Sequence, residues 1–365
     1  MVGYDSDQKR SMEDRPLIAG IQQIGIGVSD AKAAFAWYRN VFGMDVRVFE
    51  DAAEAKLMTR YTGGTPHGRH AILALNMRGG GGFEIWQFTS RTPEACSFNL
   101  QLGDLGIFCA RIKSADVERS YALLQSKGVD LLSGLERDPA GQPVFFLKDP
   151  WGNLFQVVGS DTWFSSLHCL TGGTAGCMVG VSDVDKSMAF YRDILGYDTV
   201  VYDREGHFAD LSHMPGGELP VRRVLLRHGI SRMGPFSRLL GPSEIELVQV
   251  EGRKPRPIFE NRFWGDLGFI HLCFDIVNQS AMKRLCEAKG YPFTVDSGSS
   301  FNMGSAAGHF SYVEDPDGAL IEFVETKRIP ILKKLGLYLD LTRRDCSKPL
   351  PNFFVNALRF NRVKG

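Results

Sequence analysis

The stretch VSDAKAAFAWYRNVFG at positions 28–43 decides the fold, because it recurs at 181–196 as VSDVDKSMAFYRDILG. The tripeptide V-S-D, an aromatic-Tyr-Arg triplet and a Gly keep the same spacing in both copies. In each copy the apolar residues between V-S-D and Gly are spaced as on one face of a helix, over 31–42 and 184–195. A repeat at such a long offset indicates related structural units within one chain.

A second repeat divides the chain further. The turn sequence G-D-L-G at 103–106 recurs at 265–268, and DPWGNLFQVV at 149–158 corresponds to DPDGALIEFV at 315–324. The chain therefore contains four modules, near 21–90, 104–160, 176–252 and 268–326. Each is expected to begin with a short apolar strand, continue into an amphipathic helix and end with strands separated by Gly or Pro. This pattern predicts an α+β fold of four βαβββ modules.

Composition limits the possible functions. The 365 residues include 42 basic and 42 acidic residues, so no overall charge favours nucleic acid, and a small molecule is the expected partner. The sequence has no stretch typical of a signal peptide or a membrane span, which favours a cytoplasmic location. Seven cysteines without a C-x-x-C pair indicate reduced thiols. The chain is expected to be a monomer or a homodimer.

The last 39 residues, 327–365, are basic, with ten Lys or Arg against two Asp. Such a tail could lie on a membrane surface through its apolar residues and cations. Its apolar residues are spaced on two sides, however, which suits packing against the rest of the protein. A docked C-terminal arm is therefore favoured, and membrane contact is not expected.

These repeats resemble the vicinal oxygen chelate superfamily, which includes glyoxalase I, methylmalonyl-CoA epimerase, fosfomycin-resistance proteins and extradiol dioxygenases. The resemblance covers about 21–326 and rests on the V-S-D…Y-R…G openings, the G-F-I-H opening of module four and its D-P-D-G-x-L-I-E ending. It implies paired modules that form half-barrels around a metal. The expected domains are 21–165 and 170–326, between an N-terminal extension, 1–20, and the tail.

The resemblance places metal ligands on the first and last strands of each module. The corresponding first-strand positions are Gln23, Cys109, Gly176 and His271. The corresponding last-strand positions are Glu84, Gln156, Glu246 and Glu322. Two pairings of the modules remain open. Pairing one with four and two with three is favoured, because it gathers Gln23, Glu84, His271 and Glu322 into one competent site. The other four positions then form a degenerate second site, whereas sequential pairing leaves both sites incomplete.

Strand alternation predicts which side chains lie beside these ligands, because residues two apart share a face. Trp86 and Phe88 follow Glu84 on its face, and Asp275 lies on the face of His271. Tyr312 lies on a strand next to that of Glu322. These four residues are therefore candidates for substrate contact in a largely apolar and aromatic cavity.

The ligand types indicate the chemistry. Three oxygen donors and one imidazole suit a divalent ion, with Zn, Ni, Co, Mn and Fe all open. A carboxylate beside such an ion can accept a proton next to a carbonyl while the ion stabilises an enediolate, and Glu322 or Glu84 is the expected base. A glyoxalase-like lyase or isomerase is thus the leading hypothesis.

Two alternatives stay open. One is an extradiol-type dioxygenase, although such iron enzymes are expected to use two histidines and one carboxylate. The other is a non-catalytic binding protein of the bleomycin-resistance type. Among glutathione-dependent relatives, three further positions carry two arginines and an asparagine, and here they hold Gly27, Phe88 and Leu267. The resemblance therefore implies a less anionic and more apolar substrate than glutathione adducts.

Overall fold

The computed structural model describes residues 15–298, 301–303, 306–332, 337–341 and 344–363. It has the predicted α+β architecture, with four βαβββ modules whose strands form two curved sheets. Module one contains helix α1 at Ala31–Phe42 and strands β1 to β4 at Leu17–Gly27, Val46–Glu54, Gly68–Leu75 and Gly82–Phe88. Module two contains helix α2 at Val117–Ser126 and strands β5 to β9 at Gly106–Ser114, Asp130–Leu131, Glu136–Arg137, Pro143–Lys148 and Leu154–Gly159.

The second half of the chain repeats this order. Module three contains helices α3 and α4 at Val184–Leu195 and Ser237–Leu240, and strands β10 to β13 at Thr171–Gly180, Thr199–Gly206, Val221–Arg227 and Glu244–Val250. Module four contains helix α5 at Gln279–Ala288 and strands β14 to β18 at Gly268–Val277, Val295–Asp296, Phe301–Met303, Ala306–Glu314 and Leu320–Leu332. Strand β19, Leu337–Asp340, and helix α6, Asn352–Asn356, follow in the tail.

The sheets join modules that are not neighbours in sequence. One sheet has the order β15-β17-β18-β14-β1-β4-β3-β2 and combines modules four and one, with β16 and β19 at its side. The other has the order β11-β12-β13-β10-β5-β9-β8-β6 and combines modules three and two. Within a module the first strand is parallel to the last, as for β1 with β4. The first strands of paired modules meet antiparallel, as for β1 with β14.

The repeated helix motif is explained by its ends. Asp30 accepts hydrogen bonds from the backbone amides of Lys32 and Ala33, and Asp183 caps α3 by accepting one from the amide of Lys186. Each side chain satisfies amide groups that have no partner within the helix. Gly43 ends α1 with φ of 68°, the left-handed conformation that favours glycine.

The repeated D-P-x-G turns hold consecutive modules together. The Tyr38 hydroxyl of α1 donates to Asp149 at the turn of module two, at 2.6 Å. The Tyr191 hydroxyl of α3 donates to Asp315 of module four, at 3.2 Å. All four side chains are buried. Modules one and two, and likewise three and four, are therefore linked through a helix and a turn.

The G-D-L-G turns connect the modules that share a sheet. Asp104, before β5, forms an ion pair of 2.6 Å with Arg253, which follows module three. Asp266, before β14, pairs with Arg91, which follows module one. The two repeated turns thus fix the entry of modules two and four beside their sheet partners.

Several module boundaries differ from the predicted ones. Strand β1 begins at Leu17 and β10 at Thr171, so both start before the predicted 21 and 176. Strand β18 continues to Leu332, so the predicted boundary at 326 falls inside a strand. Backbone pairing extends these strands beyond the repeated motifs, because β1 stays paired with β14 from Leu17.

The tail follows the surface of module one. Its backbone joins β18 through β19, and Val363 donates its amide to the Asp45 carbonyl at 2.8 Å. Leu341, Leu350, Val355 and Leu358 are buried in one apolar cluster with residues of β2 and β3. The side chains of 329–337 lie outside the described residues. Among those described, no helix is long and apolar enough to span a membrane.

The two tyrosine hydrogen bonds give a test of this architecture. We expect Tyr38→Phe and Tyr191→Phe each to lower the free energy of unfolding by about 1–3 kcal/mol, because each removes one hydrogen bond to a buried carboxylate. Urea unfolding measures the loss. Tyr121→Phe, a half-buried tyrosine of α2, is the control and should change stability by less than about 0.5 kcal/mol. Equal effects of all three substitutions would contradict the role given to the D-P-x-G turns.

Candidate metal centre

The pairing of β1 with β14 brings the two ends of the chain together at one point. Gly25 of β1 lies opposite His271 of β14, and Gln23 lies opposite Cys273. Glu84 lies beside Gly25 on the parallel strand β4, and Glu322 lies beside Cys273 on the parallel strand β18. Four neighbouring strands therefore carry the four predicted ligands.

The polar atoms of these side chains converge. Nε2 of His271 lies 3.4 Å from an oxygen of Glu84 and 3.2 Å from an oxygen of Glu322. The amide nitrogen of Gln23 lies 3.5 Å from the same oxygen of Glu84 and 3.4 Å from that of Glu322. In the described part of the chain, Glu84, His271 and Glu322 are the one group of His, Cys, Asp and Glu side chains arranged closely enough to hold a metal ion.

This cluster is buried and carries no cation of its own. His271 is fully buried, and burial lowers its pKa to about 3, so the imidazole is neutral. Burial raises the pKa of both Glu84 and Glu322, and the charge of Glu84 raises that of Glu322 further. Two buried carboxyls beside a neutral imidazole are costly to ionise unless a cation compensates them.

The donor atoms fit a divalent ion. Atoms at about 2.1 Å from one ion, at right or tetrahedral angles, lie about 3.0–3.4 Å apart. Nε2 of His271 lies at 3.4 and 3.2 Å from the oxygens of Glu84 and Glu322, which matches this spacing. Both ring nitrogens of His271 and Oε1 of Gln23 are buried without a hydrogen-bond partner. A neutral imidazole, an amide oxygen and two carboxylates are ligands of the kind that bind Zn, Ni, Co or Mn.

The imidazole is held by close packing. A Cβ on Gly25 would lie 2.4 Å from the ring of His271, so only glycine at this position leaves room for it. The indole of Trp264 stacks on the imidazole with centroids 6.0 Å apart, and Tyr312 meets it edge-on at 5.7 Å. The ring orientation is therefore set by a glycine and two aromatic side chains.

A cavity of about 490 Å³ opens above the cluster, and Gln23, Glu84 and Glu322 line it. Its size suits a small organic molecule. Most of its other walls are apolar and come from Phe49, Met58, Leu73, Leu75, Trp86, Phe236, Leu239, Leu240, Trp264, Phe310, Tyr312, Val324 and Leu358. A polar floor under apolar walls is typical of a site that orients one polar group of a ligand.

The four predicted substrate contacts divide into two pairs. Trp86 and Tyr312 line the cavity. Phe88 does not, because the loop at Gly265 passes directly over its ring and Arg91 lies 4.9 Å from it. Asp275 is buried behind the cavity wall, where it accepts long hydrogen bonds from Gln22 and Thr326. Sharing a face with a ligand therefore did not bring these two side chains into the cavity.

Gln22, Trp264 and Arg69 are among the lining residues that were not predicted from the sequence. Gln22 lines the cavity beside Gln23, because an irregularity between Ile21 and Gln23 interrupts the alternation of β1. Glycines inside this strand were the available signal of a bulge. Trp264 lies in the connection before β14, and Arg69 reaches from β3 with its guanidinium 5.3 Å from the Trp86 ring. Neither residue belongs to a repeated motif.

The positions of the degenerate site lie in the second half-barrel, but an arginine occupies its centre. The fully buried Arg223 donates to Glu246 at 2.7 Å and to Asp210 at 2.8 Å. Although burial opposes ionisation, the guanidinium holds the pKa of Glu246 below its usual value. The buried carboxylate therefore already has a cation.

The other three positions of that site also lack the features of a metal ligand. The side-chain oxygen of Gln156 accepts a hydrogen bond from Arg111 at 2.9 Å. Cys109 is buried among apolar side chains, and burial raises the pKa of its thiol well above the usual value. At Gly176 a Cβ would lie 1.6 Å from the carbonyl oxygen of Glu244, which leaves no room for a side chain. All seven cysteines of the chain are free.

Comparison with known proteins identifies the family of this chain. The family model of the Glyoxalase/Bleomycin resistance protein/Dioxygenase superfamily matches residues 20–157 and 173–323. The chain belongs to this superfamily. No curated protein sequence matches it. Each matched range of the superfamily spans two consecutive modules, whereas each sheet combines one module from either range.

Solved structures of the superfamily share the fold. Glyoxalase I from Zea mays is similar with a TM-score of 0.52 and 14% identity, over 84% of this chain and 92% of that one. A putative dioxygenase from Bacillus subtilis subsp. subtilis str. 168 is similar with a TM-score of 0.53 and 15% identity, over 85% and 86% of the two chains. At such identities the likeness concerns the fold alone.

The arginine of the second half-barrel is expected to be essential for folding stability. Arg223→Met should lower the free energy of unfolding by about 3–5 kcal/mol, because it removes the cation that is hydrogen-bonded to both buried carboxylates. Adding Glu246→Gln should recover part of this loss. The matched control is the partly exposed neighbour Arg222→Met, which should cost about 0–1 kcal/mol. Urea unfolding decides, and equal losses at the two arginines would contradict the account.

Metal binding is expected at the first half-barrel. Zn²⁺ added to the metal-free full chain should bind at a single site, as titration against a fluorescent chelator measures. His271→Ala should weaken the affinity by about tenfold to a hundredfold or more, because it removes the nitrogen ligand. His309→Ala is the control, since His309 lines the same cavity but pairs with Asp296. Unchanged affinity of the His271 variant would exclude this centre.

Proposed function

We propose that this protein is a metal-dependent lyase or isomerase of the glyoxalase type, which removes a proton beside the carbonyl of an apolar or aromatic small molecule. The observation that carries the proposal is the buried cluster of Glu84, His271 and Glu322 at the floor of an apolar cavity. Gln23, Glu84, His271 and Glu322 would hold the ion. A divalent cation bound there would polarise the carbonyl of a substrate.

We assign the proton transfer to Glu322. Its carboxylate lines the cavity, so a substrate can reach it, and it lies on β18 beside the strand of Tyr312. Glu84 also lines the cavity, but the cation of Arg69 lies near it and favours its ionised form as a ligand. A carboxylate placed against the proton beside a carbonyl is a competent general base.

The donor set supports this reaction over oxygen chemistry. Non-haem iron oxygenases commonly bind their metal with two histidines and one carboxylate. The cluster here supplies one imidazole and two carboxylates, with an amide as a fourth donor. Proton transfer at a Lewis-acidic ion needs only a carboxylate and a place for the substrate oxygen, and this site offers both.

The cavity supports a substrate with little negative charge. Gly27 has no room for a side chain, since a Cβ would lie 1.8 Å from the Asp266 carbonyl oxygen. Phe88 is covered, as described above, so neither position presents a cation to the cavity. Arg69 and Lys56 do line it, but Arg69 is paired with Asp51 at 3.1 Å and Lys56 with Glu54 at 3.7 Å. An anionic thiol such as glutathione would therefore have to compete with these carboxylates for a charge-assisted partner.

Turnover of a neutral hemithioacetal tests the proposal. The test substrate is the hemithioacetal of phenylglyoxal with 2-mercaptoethanol, and the hemithioacetal of phenylglyoxal with glutathione serves for comparison. The protein should convert the neutral adduct with the higher kcat/KM and exchange its C–H proton with deuterium of the solvent. Chelation should abolish the reaction, and Zn²⁺ or Ni²⁺ should restore it. Consumption of oxygen with product formation would instead indicate the dioxygenase reaction.

A substitution of Glu322 tests its role as the general base. Glu322→Gln should lower kcat about a hundredfold to ten-thousandfold, because the amide keeps the volume and an oxygen ligand but cannot accept the proton. Glu54→Gln is the matched control, since Glu54 is an exposed carboxylate at the wall of the same cavity. It should retain the activity of the unchanged protein. Full activity of the Glu322 variant would refute the assignment.

A further inference from the structure

The end of the chain is anchored to both half-barrels. The Leu350 amide donates to the Pro235 carbonyl of module three at 2.8 Å. At the other end of the segment, Arg362 forms an ion pair of 2.6 Å with Asp45 of module one. The segment 344–363 therefore crosses from the connection before α4 to the start of β2.

Leu358 is the residue of this segment that reaches the cavity. It lies in the short 3-10 helix Ala357–Asn361, is 7% exposed and lines the cavity. It belongs to the same apolar cluster as Leu75 of β3 and Leu239 of α4, both of which also line the cavity. Part of the cavity wall thus comes from the second half-barrel and part from the chain terminus.

The register of β3 places this wall relative to the metal centre. Leu73 lies opposite Glu84 across β3 and β4, and Leu75 is two residues further along the same face. Two residues of a strand span about 7 Å. A molecule with its polar end at Glu84 and its apolar part along β3 would therefore meet the cluster of Leu75 and Leu358 at about that distance.

Leu358 can be separated from the contacts that anchor the segment. Leu350 and Val355 are each 1% exposed in the same cluster, and neither lines the cavity. The Arg362–Asp45 pair follows Leu358 in the chain, and neither of its residues lines the cavity. A change of size at Leu358 alters the cavity, while the remaining contacts keep the segment in place.

We propose that the C-terminal segment is a specificity element, in which Leu358 limits the length of the apolar part of the substrate. The inference rests on the proposed function only in placing the polar end of the substrate at the metal centre. The implied substrate class is a carbonyl compound whose apolar portion extends along β3 toward the terminus. A smaller side chain at Leu358 should admit a longer apolar portion, and a larger one should exclude it.

Binding of straight-chain probes tests the inference. The Zn²⁺-loaded full chain is mixed with N-phenyl-1-naphthylamine, a fluorescent apolar molecule, which is displaced by aceto-, hexano-, octano- and decanohydroxamic acid. Leu358→Trp should weaken binding of the longest chain about tenfold or more and leave acetohydroxamic acid within about twofold. Leu358→Ala should shift the tightest binding toward longer chains.

Phe360→Ala is the matched control. Phe360 lies in the same short helix but is 77% exposed and does not line the cavity. The affinity of this variant for the probes should depend on chain length in the same way as that of the unchanged protein. Thermal unfolding of all variants checks that each is folded, and two Leu358 variants of opposite size keep the test informative.

Primary alcohols of matching length distinguish the two proposals, since they carry no chelating group. One outcome is that the Leu358 variants change how alcohol binding depends on chain length, while the hydroxamic acids bind no more tightly than the alcohols. The specificity element then stands and the metal centre fails. If the hydroxamic acids bind more tightly than the alcohols, but both Leu358 variants keep the original length dependence, the metal centre stands and the specificity element is overturned.

Discussion

The antiparallel contact between β1 and β14 is the constraint on which the rest of the molecule depends. It merges the first and fourth modules into one sheet, and its register sets Gly25 against His271. The parallel strands on either side then carry Glu84 and Glu322 to the same point. Once these modules are paired, the second and third have only each other as partners, and β5 meets β10 in the corresponding way. The connectivity of the modules and the convergence of the predicted ligands both follow from this contact.

The buried carboxylates of the two half-barrels have different partners. In the second, Arg223 lies between Glu246 and Asp210 and supplies a permanent positive charge. In the first, the side chains nearest Glu84 and Glu322 are a neutral imidazole and an amide, and the nearby Arg69 is paired with Asp51. The second half-barrel therefore contains its own cation at this position, whereas the first contains a buried group of side chains that could bind one. This difference follows from side chains on otherwise equivalent strands.

The sequence was informative where a repeated motif also carried residues that could bind a metal. The repeated motifs predicted the four βαβββ modules, and the four positions that the family resemblance implied as ligands of one site lie close together in the first half-barrel. Arg223 was not predicted, because it lies on the third strand of its module, where the family pattern has no ligand. Gln22 was missed because β1 is irregular where strict alternation was assumed. Phe88 lies outside the cavity because the loop at Gly265 covers its ring. Leu358 was not predicted, because no pattern in the tail indicates which surface it contacts. The outcomes at Phe88 and Leu358 both depend on contacts between segments that are distant in sequence.

The two kinds of connection between modules form a closed cycle. Sheet pairing joins module four to one and module two to three, while the Tyr38–Asp149 and Tyr191–Asp315 hydrogen bonds join one to two and three to four. Every module is thus held by two neighbours through contacts that do not require the peptide chain between them. The linker between the second and third modules belongs to neither kind of connection, although Phe164 and Ser165 in it donate their amides to the Arg78 carbonyl of module one. The two halves of the polypeptide, supplied as separate chains, have all the complementary surfaces needed to reassemble into the same molecule.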